Sequence, residues 1–325
     1  MATETHKVEV VKVKLDPHPN ADTLSVVRIH DFTCCVRTTD WRDGDLAAYI
    51  QPDSIVDTSR PEFSFLEGHE RIRVKKLRGI VSMGLLVKAP AGLQIGDDAA
   101  EALGVTHYEP RLPLSAGGEV EAPPAGLYTP TYDVESMYRF AHLFIEGEDV
   151  LVTEKIHGAN SRFVFRDGRL WAGSRKEWKK QDAGNLWWKA LELNPAVEQF
   201  CRANPGHIVY GEVYGNVQSL KYGCGPNEYG IAVFDVLRGS KWTPARELLA
   251  LPLPIVPVIG PVPAPFNLEK LKALAEGPSL LARPIKGQSP QIREGIVVRP
   301  MIERTSPELG RVQLKLVSNV YLEKY

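Results

Sequence analysis

The residues best suited to chemistry are Glu154-Lys155-Ile156-His157-Gly158, near the middle of a 325-residue chain. A lysine amine attacks phosphorus only when neutral. A site that uses Lys155 in this way must therefore lower its pKa by desolvation or by neighbouring positive charge, a bound metal included. Leu151-Val152-Thr153-Glu154 is an apolar run leading into the lysine, and Gly158 permits a tight turn beside which a phosphate could approach. Ser161-Arg162-Phe163-Val164-Phe165 then alternates polar and apolar residues, which predicts a second strand and puts Lys155 at a strand-to-strand corner. The same five residues also suit an exposed lysine before a turn, because Lys-x-x-Gly recurs by chance.

Order along the chain separates the two readings. Downstream lie Ser174-Arg175-Lys176, Tyr210-Gly211-Glu212-Val213-Tyr214-Gly215, Ile231-Ala232-Val233-Phe234-Asp235-Val236, Arg293-Glu294-Gly295-Ile296-Val297-Val298-Arg299 and Leu314-Lys315-Leu316. Glu212 and Glu294 sit at the ends of apolar strands. There they are either solvated strand-end carboxylates or hard oxygen ligands holding Mg2+ or Mn2+ against a triphosphate. Phe234 reads as core from its apolar strand. Arg175 carries a planar fork suited to phosphate or ribose oxygens, or is a surface arginine in a basic run. Asn160 could simply cap the turn.

Taken together these segments resemble the ordered motifs of the covalent nucleotidyltransferases, the ATP-dependent DNA and RNA ligases and the mRNA capping enzymes. Glu-Lys-Ile-His-Gly followed by Asn160 is most similar to the ATP-dependent RNA ligases, over residues 133 to 325. The resemblance implies that Lys155 is the nucleophile on ATP, with Glu294 and Lys315 as its catalytic partners. It also implies that Phe234 stacks on adenine, that Glu154 contacts the adenine or braces the lysine, and that Asn160, Arg175, Glu212 and Lys315 hold the nucleotide. Glu294, Glu212 and His157 become the expected metal set. Two positions depart from the family pattern. His157 stands where many members have Asp, although some RNA ligases share the His. Gln313 stands where one of two lysines is usual, and a glutamine donates a hydrogen bond but offsets no charge.

The first third of the chain has another pattern. Val8 to Val13 and Leu24 to Ile29 alternate around the turn-rich Asp16-Pro17-His18-Pro19-Asn20-Ala21-Asp22, and further strands are expected at Leu46 to Ile50 and Met83 to Lys88. Pro17 to Leu24 and Leu77 to Gly84 resemble two segments of the tRNA-binding OB-type domains. Residues 1–105 are therefore expected to form an OB barrel. Arg71, Arg73, Lys75, Lys76 and Arg78, with Trp41, Phe63 and Phe65 upstream, either grip RNA or form the wet face of a strand.

Residues 106–132, interrupted by Pro110, Pro113, Gly117, Gly118, Pro123, Pro124 and Gly126, are expected to be a linker, and 133–325 the adenylyltransferase domain. Leu251 to Pro257 reads as an internal loop ahead of a short helix at Asn267 to Ala275. The expected class is thus α+β, an OB-type barrel joined to antiparallel sheets with flanking helices.

Composition agrees: 43% hydrophobic and 24% charged residues mark an ordinary globular chain. With a formal net charge of -1, a nucleic-acid partner must be met by local basic patches, the second being Arg175, Lys176, Lys179 and Lys180. Four cysteines without paired spacing indicate a reducing cytosol and no zinc. No run has membrane-spanning length, and Thr3, Glu4, Thr5, His6 and Lys7 lack the apolar core of a signal peptide. The expectation is a cytoplasmic, monomeric RNA-joining or RNA-repair enzyme. A DNA ligase, a capping-type enzyme and a non-catalytic binder of tRNA or RNA ends are its rivals.

Overall fold

The computed structural model describes residues 7–109 and 112–325, so Thr3, Glu4, Thr5, His6 and Pro110 lie outside the described residues. Within the described residues the chain forms two compact units. One comprises 7–109, 136–141 and 319–325; the other comprises 112–135 and 142–318.

In the smaller unit Glu9–Lys12 pairs with Leu46–Ile50, which pairs with Leu85–Lys88, while Asp16–Pro17, Leu24–Ile29 and Phe32–Arg37 form a second antiparallel sheet. Alternation turns Val8 and Val10 inward onto Ile50, Phe63, Val87 and Leu103. Lys75–Leu77 and Ile80–Ser82 form a hairpin whose turn residues, Arg78 and Gly79, have φ of 47° and 94°. Two successive positive values make the primed turn that matches strand twist. The turn is pinned from a distance: Asn20 Nδ2 donates to the Arg78 carbonyl at 2.9 Å, and the His18 ring meets the Leu77 carbonyl at 3.2 Å. The two segments that resemble tRNA-binding domains therefore meet in space.

Three side chains expected at an RNA-binding surface are placed otherwise. Phe63 is fully buried core, and Trp41 is buried beneath the Lys88 ammonium, 4.0 Å from its ring, which leaves Phe65 as the exposed ring of the three. Arg71 is held within the unit by Asp53 at 2.7 Å, by the Tyr325 carbonyl at 2.7 Å and by the face of Tyr108 at 3.8 Å. Arg73, Lys75, Lys76 and Arg78 are exposed, and Ile72 and Val74 point inward between them.

The larger unit is built on two antiparallel sheets. The seven-stranded sheet runs Val120–Glu121, Trp178–Lys179, Arg169–Gly173, Ala159–Arg166, His207–Gly215, Tyr229–Arg238, Lys241–Trp242. The five-stranded sheet runs Glu135–Ser136, Leu314–Val317, Gly295–Pro300, Asp149–Lys155, Ala264–Pro265. Helices Leu186–Leu193 and Pro195–Ala203 cover one face of the larger sheet, burying Phe163, Val209, Val213, Ile231, Val233 and Val236. Asn267 caps the helix Leu268–Ala275 by accepting from the Lys270 amide.

The Pro-rich loop joins the sheets, because the Pro257 carbonyl accepts from Glu154 N and Val256 N donates to the Val233 carbonyl. The stretch expected to be a linker is folded rather than free. Thr106–His107 pairs with Ser54–Ile55, Val120–Glu121 with the Trp178 strand, and Tyr132 is buried among Tyr210, Phe234 and Trp242. Burial of one large aromatic ring outweighs a composition that lacks periodicity.

Candidate active site

Lys155 ends its strand opposite Gly295, so Glu294 arrives beside it from the neighbouring strand. Lys155 Nζ donates to Glu294 Oε1 at 2.5 Å. The turn that follows is packed without slack: a Cβ on Gly158 would overlap the Val213 carbonyl, so glycine is required for close approach rather than for its φ. The turn is also tied down by a segment not identified from sequence. His157 N–H donates to the Tyr222 hydroxyl at 2.6 Å, the His157 ring meets Ser219 Oγ at 3.0 Å through Nε2, and Gln218 Nε2 donates to the Gly158 carbonyl.

His157 Nδ1 stands 3.8 Å from Glu294 Oε2, and burial, opposed by the Glu294 charge, lowers its pKa. Glu212 lies across from Asn160 in the seven-stranded sheet. Burial pushes its carboxyl up to about 8 against the pull of Lys155, with Glu294 adding to the rise. Lys315 is paired with Val297, and its pKa is lowered by burial and by the Lys155 charge while Glu135, Glu294 and Asp133 oppose. Lys155, His157, Glu212, Glu294 and Lys315 thus share one electrostatic neighbourhood. Arg175 acts on Glu212 from its rim, paired with Asp133 at 3.1 Å.

Glu154 is placed differently. Strand alternation turns it away from Lys155, and its Oε2 accepts from Leu280 N at 2.7 Å, so it braces the 278–281 loop and not the lysine. Burial raises this carboxyl too, and its Oε1 is buried with no hydrogen-bond partner among the described residues. Asn160 Oδ1 and Glu294 Oε2 are likewise buried and unsatisfied among the described residues. Orphaned acceptors gathered beside a lysine suit a ligand that brings donors or a cation.

Phe234 is placed by a register shift. Tyr210 pairs with Asp235 while Gly211 pairs with Val233, so Phe234 is the extra residue of a bulge and shares a face with Glu212 and Asp235. It is half-buried, its ring centroid 4.6 Å from that of Tyr132. Fully buried Asp235 accepts from the Tyr132 hydroxyl at 2.9 Å, Arg299 at 3.1 Å and Arg311 at 2.6 Å. Gln313 belongs to this network and donates to Tyr132 Oη at 2.7 Å, so its polar group is engaged internally. Sequence reading missed the network, although a charged Asp235 inside an apolar strand was a visible signal.

The second expected basic patch is largely neutralised. Lys179 is buried against Glu177 at 2.7 Å, and Lys180 pairs with Glu119 at 2.6 Å. Among the described residues no group of three or more His, Cys, Asp or Glu side chains is arranged to hold a metal by itself.

An OB-fold domain model matches residues 7–89, in agreement with the small antiparallel sheets of the first unit. Over the whole chain the fold is similar to RNA ligase from Naegleria gruberi. A variant with ATP and Mn superposes with a TM-score of 0.81 at 22% identity, covering 99% of each chain. A variant with AMP and Mn gives 0.80 at 21% over 99% of each chain, and the enzyme with PPi gives 0.80 at 23% over 100% of this chain and 99% of that one. No curated protein matched by sequence. The RNA ligase model matches residues 148–317, more than half of the chain and the span that carries Lys155, Glu212, Phe234, Glu294 and Lys315. With its ordered motifs gathered around one lysine, this chain belongs to the RNA ligase family.

Proposed function

We propose that the protein is an ATP-dependent RNA ligase that joins a 3'-hydroxyl to a 5'-phosphate through a lysyl-AMP intermediate on Lys155. The observation that carries this reading is the contact of Lys155 Nζ with Glu294 Oε1, inside a cluster completed by Glu212, His157 and Lys315. The Lys155 nitrogen attacks the α-phosphorus of ATP and the bond to pyrophosphate breaks. Glu294 Oε1 is the acceptor in contact with the proton that Lys155 must lose. AMP then passes to an RNA 5'-phosphate, and the 3'-hydroxyl displaces it. Lys315 and Arg175 balance charge on the phosphates, and catalysis is chiefly positioning and electrostatics.

Phe234 offers its ring to the adenine, with the orphaned Glu154 Oε1 and Asn160 Oδ1 as acceptors for nucleotide donors. The donor set fits a divalent cation of the Mg2+ or Mn2+ kind, which is usually held by one or two carboxylates together with substrate phosphates. Glu294, through its unsatisfied Oε2, would hold it with Glu212 and His157 nearby, and it would supply Lewis-acid polarisation of phosphoryl oxygens. ATP and Mn accompany the similar Naegleria ligase, which supports the same pair here.

Residues 1–105 act as the polynucleotide-binding domain and 133–325 as the adenylyltransferase, with 106–132 between them. Arg73, Lys75, Lys76 and Arg78 contact the RNA backbone, whereas Arg71 keeps its internal ion pair. We place the protein in the cytoplasm as a monomer. No helix among the described residues is long and apolar enough to cross a membrane.

Incubation with ATP labelled on the α-phosphate and either metal tests this function. A covalent AMP adduct is expected, absent in Lys155→Ala and in Glu294→Ala while both variants melt cooperatively. An adduct that survives in Lys155→Ala refutes the nucleophile, a GMP adduct from GTP indicates capping chemistry, and no adduct at all indicates a non-catalytic RNA binder.

A further inference from the structure

A cavity of about 250 Å3 lies in the larger unit, lined by Glu121, Thr129, Arg162, Lys176, Glu177 and Trp178 among others. Its lining carries two cations and two carboxylates, but the carboxylates are paired with cations outside it. Glu121 pairs with Arg169 at 2.8 Å and Glu177 with Lys179 at 2.7 Å, so both acids are already neutralised by other cations. Arg162 is 4% exposed, yet no carboxylate lies within ion-pair distance of it among the described residues. Its Nη1 donates to the Thr129 carbonyl at 3.5 Å, its guanidinium lies 4.7 Å from the Trp178 ring centroid, and its Nε has no partner among the described residues.

Buried Arg299 and half-buried Arg311 share Asp235, while half-buried Arg71 and Arg139 have Asp53 and Glu9. Buried Arg293 also lacks a carboxylate within ion-pair distance among the described residues, but its Nε, Nη1 and Nη2 all donate, to the Pro278 and Leu274 carbonyls, where Arg162 has a single long bond. A buried cation without a counter-ion is costly, and an aromatic face offsets only part of that cost. Burial accordingly pulls the Arg162 pKa down. The wall also offers a free donor, since the Trp178 indole N–H has no partner among the described residues, while Glu121 is engaged by Arg169. Lys176, exposed at the same cavity, adds a second cation with no carboxylate partner among the described residues.

The location matters. Arg162 is two residues along its strand from Asn160, on the same face and about 6.6 Å farther from the Asn160–Glu212 pair. We propose that this cavity is a phosphate subsite next to the nucleotide site, with Arg162 as its buried cation and Lys176 at its mouth. The phosphate belongs either to the pyrophosphate end of ATP or to the RNA backbone. This assignment rests on the ligase reading for its substrates, though not for its chemistry.

Three variants test it: Arg162→Ala, Arg162→Lys and the surface change Lys176→Glu. One arm follows lysyl-AMP formation against ATP concentration, with inhibition by inorganic pyrophosphate. The other follows sealing of a pre-adenylylated RNA strand without ATP. Arg162→Ala and Lys176→Glu should raise half-saturation tenfold or more in one arm while the other stays within twofold, and Arg162→Lys should fall between. A change in the first arm assigns the phosphate to ATP, and a change in the second assigns it to RNA. Binding of pyrophosphate and of a 5'-phosphorylated RNA oligonucleotide, measured by calorimetry on wild type and Lys176→Glu, reads the subsite even if wild type forms no adduct and the ligase reading fails. If Arg162→Ala unfolds, the other two variants decide. Wild-type values in both arms and unchanged calorimetric binding for Lys176→Glu and Arg162→Lys would overturn the proposal.

Discussion

Replacement of Asp235 by alanine should be severe, and its size follows from the charges around it. Asp235 and Glu303 supply two negative charges to Arg299 and Arg311, which supply two positive ones. Without Asp235 one of two cations is uncompensated at a site where Asp235 is fully buried and the Arg299 side chain is 5% exposed. Breaking a buried pair by removing one partner costs about 3–5 kcal/mol. For a unit of roughly 200 residues, each kcal/mol moves the melting temperature by about 2–4 °C, so a fall of about 6–20 °C is expected. Thermal unfolding followed by near-UV circular dichroism measures it. Asp235→Asn keeps the shape and one acceptor and should lose less. Because Asp235 shares the bulge with Phe234, a folded Asp235→Asn should also need more ATP for adduct formation. A melting temperature within about 2 °C of wild type for Asp235→Ala would show that solvent reaches the arginines and would refute this account.

Phe234→Ala should raise the ATP concentration for half-maximal adduct formation by about 5- to 150-fold, from about 1–3 kcal/mol of base stacking, in an ATP titration of the adenylylation rate. Loss of fold without a selective ATP effect would return Phe234 to a purely core role. The Glu212 carboxyl, held protonated in the fold up to about 8 against an ordinary value of 4.5, must ionise at a cost as pH rises between those values. The unfolded chain gives up this proton more readily, so stability falls across that window. Glu212→Gln should therefore gain melting temperature relative to wild type between pH 5 and pH 8, and a parallel pH profile would contradict the assignment. Reversing Lys75 and Lys76 to Glu should weaken RNA binding and flatten its salt dependence, by about 0.7 in log–log slope for each single-strand phosphate no longer neutralised, as measured by fluorescence anisotropy. An unchanged slope would remove these residues from the RNA surface.

Much of this chain is legible locally. Leu151 to Lys155 reads as a strand from its apolar run, and Ser161 to Phe165 from period-two alternation. Both come out as strands because side-chain direction in a strand depends only on neighbours one and two residues away. Lys155, Glu212, Phe234, Glu294 and Lys315 could be singled out by type and order. What these residues touch was not legible. Pairing brings Glu294 to Lys155 across 139 residues, and only strand register decides which carboxylate meets the amine. The bulge at Phe234 leaves no mark in the composition of its strand. It is visible only as a mismatch between two strands, yet it sets which face the ring occupies.

Charge shows the same division. Arg71, Arg73, Lys75, Lys76 and Arg78 look alike in sequence, but Asp53 and Tyr108 withdraw Arg71, as Glu177 withdraws Lys179. Arg162, unremarkable in an alternating strand, becomes a buried cation with an unpartnered Nε and no carboxylate in reach among the described residues. Local propensity determines which segments are strands and which residue types can do chemistry. Burial and long-range pairing determine which charges are compensated, because desolvation depends on everything packed around a group and not on its neighbours in the chain.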